Sequence, residues 1–245
     1  MAELQENDEY GLVDIPLPEQ PPSQKSSNEF RPFVMRSNFL DKSAGSGYVE
    51  FGKTYVLCSI EGPIEKDREA DEDVEDSSVV TIIADDVSDE YLLALDKIVE
   101  TFVKTELLVN AEVKIYLKVV SNDGGVLAVS SIAIGLALAS ANIQMYDVPL
   151  AATVLFESRQ STSPILDPTL SQCKNAVKNG GGFVTVVSLP NFTQYIAYNK
   201  FPLQLGHVLS EGVMTMKQAR FATEAAFKYS LTLYEEVSNT IKSSI

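Results

Sequence analysis

Basic residues are scarce in this chain: 19 lysines and arginines stand against 34 acids in 245 residues, a formal net charge of −15. A protein that grips nucleic acid unaided neutralises phosphates with a basic surface. The balance therefore excludes strong RNA or DNA binding by the isolated chain, a local basic patch aside. Histidine is reduced to His207, and cysteine to Cys58 and Cys173, far apart in sequence. So few ligands form neither a Cys-x-x-Cys pair nor a Cys/His zinc spacing, and no metal or cofactor is expected. Two buried free thiols in a reducing compartment fit better than a disulfide. A long apolar run is also missing, since Gly125 to Ala141 is broken by serines and falls short of the roughly 20 residues of a membrane span. Residues 1–9 are acidic where a secretory leader would be basic, then apolar. The expected compartment is cytosol or nucleus, and the sequon at Asn191-Phe192-Thr193 is read as chance.

With 45% hydrophobic and 22% charged residues, the remainder has the composition of a globular protein, of one large domain or two small ones. At this length roughly 70–75% of the unfolded surface can be buried. Residues 1–30 read as a Pro/Ser-rich flexible extension, with Pro16, Pro18, Pro21 and Pro22 ahead of the polar run from Ser23 to Asn28. Leu12, Val13, Ile15 and Leu17 alternate well enough to lie along a partner surface, and a disordered tail fits equally.

From Arg31 the apolar pattern becomes dense. Strands are predicted over Phe33 to Leu40, Tyr48 to Phe51, Thr54 to Ile60, Ser77 to Ala84 and Val113 to Val120, with Gly52-Lys53 as a hairpin turn. Gly62-Pro63 is expected to end the third strand. Between Glu65 and Asp76 eight acids meet two bases, which suggests an exposed, mobile loop. Leu92, Leu95, Ile98, Val99 and Phe102 recur at helical spacing after Ser88. An Ala-rich buried helix follows from Leu127 to Ala141. Further strands are predicted at Leu150 to Phe156, Phe183 to Leu189 and Gln194 to Tyr198, and a long helix over Thr215 to Ile241. The order gives an α/β class with helical layers on mixed sheets.

Candidate chemistry is thin. His207 has no evident nucleophile and is read as solvated or capping, just ahead of the last helix. Gly180-Gly181-Gly182 lacks the Lys-Ser/Thr of a phosphate loop, and Gly45-x-Gly47 lacks the third glycine of a dinucleotide fingerprint. Asn122-Asp123-Gly124-Gly125 lies between a strand and a helix, where free N–H groups favour anions. Non-basic residues follow it, so a turn with Asp123 helping to cap the helix is the plainer reading.

Three stretches resemble the RNase PH superfamily, in particular its exosome ring subunits. They are Arg31-Pro32 with Gly45-Ser46-Gly47, Gly52-Lys53-Thr54 and Gly62-Pro63; Leu136-Ala137-Leu138-Ala139-Ser140-Ala141 running into Met145-Tyr146-Asp147; and Ile165-Leu166-Asp167-Pro168-Thr169. Within that family the chain resembles the mRNA-transport-regulator type first and the neighbouring non-catalytic ring subunits next. The resemblance covers residues 31–245 and implies an RNase PH-like fold with a long C-terminal helix. It implies a place in a hetero-hexameric ring with related subunits, beneath RNA-binding cap proteins, with weak RNA contact inside the assembly. It also implies work in RNA and rRNA processing and degradation in nucleus, nucleolus and cytoplasm.

The departures from that family bear on activity. Where its active members carry Gly-Thr-Arg for phosphate, this sequence has Gly125-Val126-Leu127, and leucine cannot replace a bidentate guanidinium. An RNA-gripping arginine pair maps near Asp86-Val87. The family's acidic pair falls near Gln172 and Cys173, its catalytic aspartate near Gly182 and Phe183, and residues 168–190 contain no Asp or Glu. The expectation is a non-catalytic ring subunit. An active phosphate-dependent exoribonuclease and a stand-alone adaptor are the alternatives.

Overall fold

Two sheets enclose one apolar helix. The computed structural model describes residues 29–65, 79–85, 87–108, 110–191 and 205–244. The first sheet has the order β1-β2-β3-β5-β4, with β1 at Phe33–Ser37, β2 at Gly45–Phe51, β3 at Thr54–Glu65, β4 at Val80–Asp85 and β5 at Ala111–Ser121. Its strands are antiparallel except β4, which runs parallel to β5 across helix α1 (Asp89–Phe102). The second sheet, β7-β6-β8-β9, is antiparallel: β6 is Leu150–Phe156, β7 Ile165–Leu166, β8 Gly182–Ser188 and β9 Leu205–Gly212. Between the sheets lies α2 (Val126–Ser140), which touches β2 and β3 on one side and β6 and β8 on the other. It is buried from Leu127 to Leu138, as befits a helix apolar on every face.

Gly45 and Gly47 explain how β2 lies so close to α2. A Cβ at Gly47 would stand 2.2 Å from the Ala133 carbonyl oxygen, and one at Gly45 2.4 Å from that of Ala137. The pair that looks like a piece of a nucleotide motif is a strand–helix packing device. Ser46, between them, accepts from the Phe39 and Leu40 amides. That contact and the left-handed Asn38 (φ 55°) end β1 at Ser37, short of the predicted Leu40.

Other boundaries also move. β3 does not stop at Gly62-Pro63; after an irregularity it pairs again, Ile64 with Glu112 and Glu65 with Ala111. Helix α3 (Leu170–Lys178) and strand β9 have no counterpart in the sequence reading. The long C-terminal helix is present from Met216 to Ser243, as α4 (Met216–Leu231) and α5 (Tyr234–Ser243) on either side of Thr232-Leu233. α4 packs on β6 and β8, and α5 against β1 and α2. Most of the 1–30 extension, most of the acidic stretch from Glu65 to Asp76, and the predicted strand Gln194 to Tyr198 lie outside the described residues. No described helix is long and apolar enough to cross a membrane.

Candidate functional site

The head of α2 is where the fold brings the candidate phosphate residues to their neighbours. β5 ends at Ser121, and Asn122 to Gly125 turn the chain into the helix. Gly125 is the N-cap residue, left-handed at φ 68°, a conformation that glycine adopts without a Cβ penalty. No side chain caps α2, which corrects the expectation for Asp123. That residue lies two positions ahead of the cap, out of reach of the first-turn amides that an N-cap side chain serves. Its backbone does the work: the Asp123 carbonyl accepts from the Leu170 amide at 2.9 Å and from Arg31 Nη1 at 2.8 Å.

Arg31 is the hub. Nε and Nη2 donate to Oδ2 and Oδ1 of Asp167 at 2.8 and 2.7 Å, a bidentate fork. Nη2 also reaches the Gly124 carbonyl at 3.0 Å, and the Arg31 amide donates to Asp167 Oδ2 at 2.9 Å. Both side chains are buried, 8% and 3% exposed. Thr54 Oγ1 completes the clamp, donating to the Gly124 carbonyl at 2.8 Å and accepting from the Asp123 amide at 2.9 Å. Asp167 is left-handed (φ 48°), and its amide donates to the Thr153 carbonyl. Thus the entry to β1, the start of β3 and the β7–α3 turn all converge on the loop before α2.

Gly125, Val126 and Leu127 sit together at this head, but they present apolar side chains to it. Leu127 is 6% exposed and belongs to the main core, against which Val126 packs. The guanidinium in reach, that of Arg31, already makes four side-chain hydrogen bonds to protein acceptors.

None of the four candidate acid positions carries a carboxylate, although Glu211 stands across from Phe183 on the neighbouring strand. Gln172 turns back on its own helix, its Oε1 accepting from the Thr169 amide at 2.8 Å in a reciprocal capping box. Cys173 and Phe183 share a small apolar cluster with Leu155 and Ala176. Burial pushes the Cys173 thiol up to about 11; the Glu211 carboxylate adds to the shift, and the Arg31 charge opposes it. A thiol held that high is almost wholly protonated at neutral pH and a poor nucleophile. Gly182 pairs with Gly212, and Phe183 with the exposed Glu211.

His207 belongs elsewhere. It lies within β9 opposite Val187, half-buried, not in a loop ahead of the last helix. Glu211 lies four strand steps further on, about 13 Å at the usual rise. Asp86 lies outside the described residues, and Val87 is in the short link into α1. Among the described residues no group of three or more His, Cys, Asp or Glu side chains could hold a metal ion.

Sequence reasoning used Arg31 and Asp167 only as motif letters and missed their pairing. Their partnership spans 136 positions, and the one local signal was that both stand beside a proline in otherwise apolar stretches.

The two-sheet architecture with a buried helix between the sheets and a clamped helix head is that of an RNase PH-like protein. Residues 29–144 match the 3′ exoribonuclease family, domain 1. The Arabidopsis thaliana exosome complex component RRP41 homolog is 29% identical over 178 residues, 66% of this chain and 71% of that protein. Human exosome complex component MTR3 is 23% identical over 201 residues, 72% of each. Among solved structures, rice (Oryza sativa) Rrp46 superposes with a TM-score of 0.70 at 20% identity, over 90% of this chain and 97% of that one. Over residues 29–144 the chain is thus similar to the 3′ exoribonuclease family, and its fold is RNase PH-like.

Proposed function

We propose that this chain is a non-catalytic structural subunit of an exosome core ring. It pairs with related RNase PH-like subunits in a hetero-hexamer, carries RNA-binding cap proteins, and leaves RNA cleavage to a nuclease on another chain. Nucleus and nucleolus, with cytoplasm, are the compartments in which it would work. Its relatives' names supply the assembly.

One observation carries the non-catalytic part. At the helix head the side chains are apolar, and the neighbouring guanidinium is locked onto Asp167. Phosphorolysis needs an anchored phosphate, a held RNA 3′ end and an acid for the leaving oxygen. Backbone N–H groups and the helix dipole supply only about 0.3–1 kcal/mol at an exposed site, which cannot replace a guanidinium. Losing one stabilising donor already costs roughly 10²–10³ in rate, and the acid region holds Gln172, Cys173, Gly182 and Phe183.

Purified protein incubated with single-stranded RNA, magnesium and phosphate should release no nucleoside diphosphates. Joint Val126→Thr and Leu127→Arg substitution should not create activity, because no carboxylate stands at Gln172, Cys173, Gly182 or Phe183. Phosphate-dependent shortening of RNA that survives a second purification overturns this reading in favour of the active exoribonuclease.

A further inference from the structure

The loop between β6 and β7 carries four hydroxyl side chains, Ser158, Ser161, Thr162 and Ser163, and the fold treats them unequally. Ser158 and Ser161 close a turn. The Ser161 amide donates to the Ser158 carbonyl at 3.1 Å, the Ser158 amide donates to Ser161 Oγ at 3.1 Å, and the two hydroxyls bond each other at 3.1 Å. Gln218 Nε2, in the first turn of α4, donates to the Ser158 and Ser161 carbonyls at 2.9 and 3.0 Å and fixes the turn against that helix. Thr162 and Ser163 lie beyond the turn, and both are exposed.

Residues 162–164 belong to no helix or strand and, among the described residues, make no hydrogen bond. Pairing resumes at Ile165, opposite Leu155, in a strand of two residues. Ser163 is followed by Pro164, the one proline of 11 that comes directly after a serine or threonine. Proline brings no N–H and disfavours the helical conformation in the residue ahead of it. An enzyme can therefore straighten this segment in its cleft for little more than the short β7 pairing, the kind of marginal element that opens locally.

We infer that Ser163 is a phosphorylation site for a proline-directed serine kinase. The γ-phosphoryl group of a nucleoside triphosphate passes to Ser163 Oγ. The new O–P bond forms as the bond to the leaving diphosphate breaks, and the hydroxyl proton goes to the kinase's catalytic aspartate. Recognition has a physical basis at both residues. A hydroxyl exposed on a segment free of hydrogen bonds can reach the phosphoryl group. The pyrrolidine ring beside it fills an apolar site on the kinase without leaving a buried amide hydrogen unpaired. Ser158 and Ser161 fail the first condition, and Thr162 fails the second. The phosphate adds about −1.5 to −2 charges at pH 7 to a loop held on α4, so it alters the surface there and not the core. This inference is independent of the ring reading.

The test incubates the purified full chain with ATP and a cyclin-dependent kinase, and maps phosphopeptides by mass spectrometry. Phosphate should appear on Ser163. Ser163→Ala should remove that signal, Thr162→Ala should leave the rate unchanged, and Pro164→Ala should slow transfer roughly tenfold or more. Thermal melting shared with the wild type should show that each variant is folded. The same phosphopeptide should be present in the chain isolated from its own cells with phosphatases inhibited. A Ser163 that stays unmodified in either experiment overturns the inference, and so does transfer to Ser163 that is indifferent to Pro164→Ala.

Discussion

Arg31 and Asp167 show how much one residue pair decides. Each side chain is buried, and together they join the chain segment before β1 to the turn after β7, with the loop ahead of α2 held between them. A buried ion pair adds little net stability over an apolar replacement, but removing one partner strands the other charge. Asp167→Asn isolates that effect, because asparagine tolerates the left-handed backbone at this position. The amide keeps one acceptor for Arg31, so the loss should fall toward the lower end of the usual 3–5 kcal/mol, read as a lower urea midpoint. Adding Arg31→Met should recover part of it, and a double variant no more stable than Asp167→Asn would show that the stranded charge was not the cause.

At the level of elements, β2 lies close against α2 in the core. Because a Cβ on Gly47 would penetrate to 2.2 Å of the Ala133 backbone oxygen, Gly47→Ala must push strand from helix. Overpacking of this kind costs about 1–3 kcal/mol and sometimes more. Urea unfolding should show that loss, whereas Gly180→Ala meets nothing within 4 Å and should cost less, chiefly its left-handed backbone. Helix α2 was legible in sequence as an apolar run, and so were β2, β3, β5, β6 and β8, since alternation or continuous β-branched stretches mark them. Helix α3 was not, because Leu170 to Lys178 is short and mostly polar and buries only Cys173 and Ala176. β9 was missed for a related reason: Leu209, Ser210 and Glu211 are exposed in succession, so no period of two survives.

On the scale of the whole molecule, α1, which packs on the first sheet, forms a seam with β9 of the second. His207 stands on that seam. Burial lowers its pKa below the ordinary value of 6.5, and the charge of Lys97 on α1 lowers it further. The unfolded chain therefore takes up the proton more readily than the folded one. Stability from this group is complete above about pH 6.5 and is lost as the pH falls through the folded-state pKa below it. Thermal melting between pH 7.5 and 5 should fall less steeply in His207→Gln than in the wild type. Parallel curves would mean that His207 contributes nothing to the acid sensitivity.

The sequence by itself determined the α/β class, most of the strands and the central helix, because hydrophobic periodicity is a local property carried by neighbouring residues. It also showed that Gly125, Val126 and Leu127 carry no basic side chain, since side-chain chemistry is readable without coordinates. Tertiary structure alone decided that Arg31 closes on Asp167 and that Gly45 and Gly47 serve packing. Each of these depends on segments tens of residues apart meeting at fixed distances. Only the folded chain's sterics and buried charges fix those distances, and no local pattern encodes them.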